Sequence, residues 1–162
     1  MRLVGILLML AVAALPLLGQ KVELGALDFL VGKWVGVADA AGTQLGAGGG
    51  ACSFELQLNG RILVRKNSAA YASGVVHEDL MVVYLEDSVT RAIYFDPEEH
   101  VIRYRVSAPS AKRAVFESEA GAGPRYRLTY WADGALLRVS FEMAGKGSEY
   151  KMYTSGALKH VE

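Results

Sequence analysis

From Lys33 to Leu158 apolar and polar side chains alternate in short runs, and turn residues cut the runs at nearly regular intervals. A period of two buries one face of a β-strand and wets the other. The runs fall at Lys33–Ala40, Gly50–Leu58, Arg61–Tyr71, His77–Leu85, Arg91–Asp96, His100–Ala108, Lys112–Ser118, Arg125–Ala132, Ala135–Met143 and Tyr150–Leu158. Asn59-Gly60 and Asp133-Gly134 predict two-residue type I′ hairpins, because that turn asks for φ > 0 at both central residues. Asp96-Pro97-Glu98-Glu99, Ala108-Pro109-Ser110, Gly121-Ala122-Gly123-Pro124 and Gly145-Lys146-Gly147 predict longer turns. No connection after Gly32 has a helical period or the length of a parallel crossover, so each strand is expected to pair antiparallel with its chain neighbours. An open sheet of this width would leave two long unpaired edges, and closure removes them. The expected fold is therefore all-β: a closed antiparallel up-and-down β-barrel of about ten strands. A two-sheet sandwich would need a long crossing connection, which the spacing does not provide.

Ahead of the first strand, Leu27 to Leu30 reads as a short apolar helical turn stopped at Gly32, with a strand opening on Trp34. This N-terminal helix is expected to cap one end of the barrel. The first twenty residues have a different character: Arg2 is their only charge, and Leu3 to Leu18 is apolar. That is the layout of a secretory signal peptide, so residues 1–20 are read as a signal and 21–162 as one exported domain, periplasmic or secreted. The apolar run of 16 residues is shorter than the ~20 needed to span a bilayer, so no stable membrane anchor is expected. Lys plus Arg and Asp plus Glu both number 17, which leaves no bulk field for nucleic acid. The single cysteine, Cys52, excludes an internal disulfide and reads as a core thiol.

The alternation separates inside from outside. Tyr126, Leu128 and Tyr130 oppose Arg125, Arg127 and Thr129, and Ile102, Tyr104 and Val106 oppose Arg103 and Arg105. Leu137, Val139, Phe141 and Met143 oppose Arg138, Ser140 and Glu142, while Phe54, Leu56 and Leu58 oppose Glu55 and Gln57. The arginines, Arg113 included, mark a solvated outer face. The inner face is apolar with repeated tyrosines, Tyr94, Tyr104, Tyr126, Tyr130 and Tyr150. Aromatic bodies with hydroxyl tips suit a ligand cavity, and they also suit a filled core.

Leu27–Gly36, Leu-Asp-Phe-Leu-Val-Gly-Lys-Trp-Val-Gly, resembles the opening segment of calycin-type barrels such as lipocalins, fatty-acid-binding proteins and nitrobindin-like haem-binding barrels. Leu63–Asn67, Val76–Met81 and Pro124–Tyr130 are similar to exported bacterial lipocalin-like domains. The resemblance spans Leu27 to Leu158 and implies that Gly32 and Trp34 lie across the barrel floor. In nitrobindin-like barrels a histidine near the C-terminus holds haem. Only His160 matches by position, and it falls past the last expected strand, so that role is not carried over.

Polar residues on the inner face are the candidates for chemistry. Arg65 and Asn67 share a face with Leu63, His77 and Asp79 share a face of the next strand, and His100 precedes Ile102 and Tyr104. Together they would give an apolar pocket one polar end. There Arg65 could grip a ligand carboxylate, or pair with Asp79 or Glu78 as a structural ion pair. His77-x-Asp79 with His100 has metal-ligand character, but histidines at strand starts are commonly rim residues, and no metal is assigned. No Gly-x-Ser-x-Gly elbow, His-Glu-x-x-His or phosphate-binding loop is present. The function expected is binding of a small apolar or amphipathic ligand, with Trp34 and the tyrosines as walls and no cofactor specified. The alternatives are a filled barrel that docks protein partners, or a small-molecule enzyme using His77 and Asp79.

Overall fold

Ten strands close into one barrel in the order β1-β10-β9-β8-β7-β6-β5-β4-β3-β2, every pair antiparallel. The computed structural model describes residues 24–37, 50–70, 74–121 and 123–162; the segment read as a signal peptide lies outside them. The strands are β1 (Gly32–Val37), β2 (Gly50–Gln57), β3 (Ile62–Ala70), β4 (Val76–Glu86), β5 (Val89–Phe95), β6 (Val101–Ser110), β7 (Arg113–Ser118), β8 (Arg125–Asp133), β9 (Leu136–Ala144) and β10 (Lys151–Val161). Closure comes from β1 pairing with β10, Lys33 opposite Val161 through Val37 opposite Ala157. Among the described residues no helix is long and apolar enough to cross a membrane.

A 3₁₀ helix, Leu24–Leu30, leads directly into β1. With three residues per turn, side chains at i and i+3 eclipse, so Leu24, Leu27 and Leu30 form one apolar stripe, and all three are buried. The Leu30 carbonyl accepts a hydrogen bond from Trp34 Nε1 at 2.8 Å, which ties the helix to the first strand. Around this plug pack Phe54, Leu63, Met81, Val83, Ala92, Val106, Ala114, Phe116 and Leu137. The expected capping helix and the floor position of Trp34 are thus both present.

The turns at the plugged end are short, and here the sequence reading needs correction. Gln57 pairs with Ile62, so the Asn59-Gly60 connection is a four-residue turn, with positive φ at Leu58, Asn59 and Gly60. Leu58 leaves the strand to open it and is exposed, as Leu56 is in part, rather than facing inward. Asp133 pairs with Leu136, which makes Gly134-Ala135 the loop, with positive φ at Gly134 alone. The hairpin with positive φ at both central residues is Asp87-Ser88, where no glycine announces it.

His160 was expected beyond the last strand. It belongs instead to β10, opposite Trp34 at the plugged end, with the two rings edge to face at 5.0 Å. Its ring occupies the space that a side chain at residue 32 would need: Gly32 has φ of 130°, and an added Cβ would collide with His160 Nε2. Gly32→Ala is therefore expected to cost about 1–3 kcal/mol in urea unfolding, from backbone strain and the collision together. Adding His160→Ala should restore only the part due to the collision.

Candidate functional site

The plug fills one half of the barrel and leaves a cavity of about 430 Å³ in the other. Of the eleven candidate residues, nine line it: Arg65, Asn67, His77, Asp79, Tyr94, His100, Tyr104, Tyr126 and Tyr130. Trp34 does not, because it is committed to the floor. Tyr150 does not either. It lies on the outer face, under the guanidinium groups of Arg127 at 4.2 Å and Arg125 at 5.0 Å. The reason is a register shift in β10: Met152 pairs with Glu142, yet Thr154 pairs with Phe141, so one extra residue enters at Tyr153. Such a bulge inverts the alternation on its far side, and Tyr150 falls in the wrong phase. Tyr153 meets the cavity instead and packs edge to face on Phe141. Alternation alone could not have found it.

The polar end is built on β3 and β4 and on the connection 96–100. Asn67 stands opposite Asp79 in the β3–β4 register, and Ala69 opposite His77, which brings the inward polar residues side by side. Arg65 Nη1 donates to Asp79 Oδ1 at 2.6 Å, and Asn67 Nδ2 donates to Asp79 Oδ2 at 2.8 Å. Of the two roles open to Arg65, the ion pair with Asp79 is formed. Burial opposes the charge on Arg65, but Tyr130, Asp79 and Cys52 surround it, and the Asp79 carboxylate holds the guanidinium pKa above its ordinary value. Arg65 Nε is buried without a hydrogen-bond partner. The pair is neutral overall.

Further toward the mouth, Tyr94 links two histidines. Its hydroxyl meets His77 Nε2 at 3.0 Å and donates to Asp96 Oδ2 at 3.1 Å. Asp96 in turn accepts from the His100 backbone N–H at 3.0 Å and faces His100 Nδ1 at 2.8 Å. Burial works to raise the Asp96 pKa, but the hydrogen bonds from His100 and Tyr94 outweigh it and hold the carboxyl below its usual range. Burial pushes the Tyr94, Tyr104 and Tyr130 hydroxyls well above theirs, so all three present neutral O–H groups. Cys52 also touches the cavity, with its thiol pKa raised by burial against the opposing pull of Arg65. That leaves it a protonated wall residue. Asp96, Ile102, Leu128, Val139, Phe141 and Met143 complete much of the lining. Asp96 belongs to the turn that its sequence predicts, yet its carboxylate is buried under the Tyr94 and His100 side chains rather than solvated.

The outer face carries the arginines expected there. Arg127 forms a two-pronged pair with Glu142 at 2.7 and 2.8 Å, and Arg113 lies over Trp131. These contacts tie neighbouring strands and do not reach the cavity.

No family model matches the sequence, and no curated protein matches it. What fold and cavity together define is a class: a plugged, ten-stranded, all-antiparallel barrel, compatible with the lipocalin-like, calycin-type fold and with ligand binding.

Proposed function

We propose that the protein is an exported binder of a small, mostly apolar molecule that carries one neutral hydrogen-bonding end. The observation that supports this most is the division of the barrel interior: one half packed around the plug, the other an aromatic-walled cavity of about 430 Å³ ending in a buried, self-neutralised ion pair. A cavity of that size is in the range of small-molecule sites. It also argues against a filled barrel used only to dock proteins. The unbroken apolar run Leu3–Leu18 behind Arg2 supports the export part of the reading.

The charge balance at the polar end selects the ligand. Arg65 is matched by Asp79, and Asp96 and Glu98 lie beside the two histidines with no further arginine or lysine in the lining. A free carboxylate would bring another negative charge to a region that already carries an excess of it. A hydroxyl, carbonyl or amide would instead find the Arg65 guanidinium and the Tyr104 and Tyr130 O–H groups as donors. An apolar chain ending in an alcohol should therefore bind at least about tenfold more tightly than the same chain ending in a carboxylate, a gap of about 1.4 kcal/mol. Displacement of a neutral naphthylamine probe from chelator-stripped protein, in which Asp96 and Glu98 keep their full charge, measures both. Equal affinity, or preference for the acid, would count against the selection rule, and no saturable binding of either would count against the cavity as a ligand site. Arg65→Met with Asp79→Leu should lower the affinity for the alcohol while leaving that for a plain hydrocarbon nearly unchanged.

A further inference from the structure

Counting protons around His77 leads to a second site. Tyr94 has one hydroxyl proton and gives it to Asp96 Oδ2 at 3.1 Å. Its oxygen therefore meets His77 Nε2, 3.0 Å away, as an acceptor, so Nε2 carries a hydrogen. Asp79 Oδ2, 3.8 Å from the same nitrogen, presents another acceptor to it. With His77 uncharged, Nδ1 then holds a lone pair, and the group it faces is Glu98 Oε2 at 3.4 Å. A lone pair opposed to a carboxylate is repulsive unless a cation lies between them.

The third donor is already oriented. Ligand atoms of His77, Asp96 and Glu98 all lie within 4.8 Å of one another. Asp96 accepts from the His100 backbone, His100 Nδ1 and Tyr94, which uses three of the roughly four acceptor positions of a carboxylate and leaves one. Those three bonds fix its plane in the way that outer partners fix metal ligands. Two donors ~2.0–2.1 Å from a tetrahedral zinc ion stand about 3.4 Å apart, the spacing seen between Nδ1 and Oε2. Asp79 is taken up by Arg65 and Asn67, so His77-x-Asp79 is not itself the ligand set.

We propose that His77 Nδ1, Asp96 and Glu98 bind a divalent transition-metal ion, zinc or a first-row neighbour, at the mouth of the cavity. One imidazole and two carboxylates form a donor set suited to such ions rather than to calcium. Three protein ligands leave a coordination position for water, and His77 and Asp96 both border the cavity. The site stands whether or not the cavity holds an organic ligand.

Cobalt(II) added to chelator-stripped, full-length protein provides the test, because its visible spectrum reports nitrogen and oxygen coordination. The expected result is a saturable one-to-one spectrum that zinc displaces. Glu98→Gln and His77→Gln remove ligands outright and should each weaken binding by at least about 10–100-fold, the loss typical of removing an outer partner alone. Asp87→Asn, in the turn at the plugged end, should leave it unchanged. Glu98 is on an exposed turn, so its variant will fold, and thermal melts verify this for both. Absence of a saturable spectrum overturns the proposal, as does binding that survives both substitutions. A His77 imidazolium found by NMR in protein that takes up no metal would identify the bridging cation as a proton and overturn it equally.

Discussion

Removing the Asp79 carboxylate alone is expected to destabilise the barrel by about 3–5 kcal/mol, the largest effect of any single polar substitution here. Asp79→Ala leaves the Arg65 guanidinium, only 6% exposed, facing an apolar wall with its counter-charge gone and Nε already unpartnered. Asn67 would lose its acceptor as well. The cost arises from an orphaned buried charge rather than from a lost attraction, and the two can be told apart. If both partners are replaced by apolar residues of similar volume, as in Arg65→Met with Asp79→Leu, stability should return to within about 1 kcal/mol of the parent or exceed it. Urea unfolding of Arg65→Met, Asp79→Leu and the double variant, beside Asp79→Ala, closes the cycle. A double variant no more stable than Asp79→Ala would show that the pair itself holds the barrel together. Recovery would mean that the pair is kept for what it offers a ligand, at little net benefit to folding.

Most of the architecture could be read from residue order, for a physical reason. In an up-and-down barrel every strand pairs with its chain neighbour, so alternation and turn chemistry, both local signals, determine the global topology. All ten strands lie where the runs put them, within a few residues. Local signals failed where neighbours across the barrel decide. Asp87-Ser88 forms the left-handed hairpin without a glycine because the register of β4 and β5 leaves only two residues to turn in. Unbroken alternation through β10 puts Tyr150 inward, whereas the bulge at Tyr153 reverses the phase and brings Tyr153 against Phe141. The candidate site divides in the same way. Arg65, Asn67, His77 and Asp79 sit on adjacent strands and could be grouped from spacing. Glu98 joins them only because the turn after β5 folds back over His77, and no periodicity reaches across that turn. The split between plug and cavity depends on where Leu24, Leu27 and Leu30 stop filling the barrel, a question of volume rather than pattern.

That split makes one substitution type give opposite results in the two halves. Ala69 borders the cavity on β3, whereas Ala92 and Ala114 are fully buried in the packed half. Phenylalanine at Ala92 or Ala114 has no space to enter and should cost at least about 1–3 kcal/mol through displaced neighbours. At Ala69 the ring can extend into empty volume, gaining buried apolar area with little displacement, so stability should hold or rise by about 1–2 kcal/mol. Because that volume would then be gone, the affinity for a neutral apolar ligand should fall at least about tenfold, a loss of about 1.4 kcal/mol. Adding Val139→Phe, on another strand bordering the same space, should deepen the loss. The parent should also gain about 2.7 kcal/mol against unfolding at a ligand concentration one hundred times its dissociation constant, and the filled variant almost none. Calorimetry of the parent, Ala69→Phe and Ala92→Phe, each with and without ligand, gives all of these values. If Ala69→Phe proved as damaging as Ala92→Phe, the barrel would be packed from end to end, and its tyrosines would be core rather than the walls of a binding site.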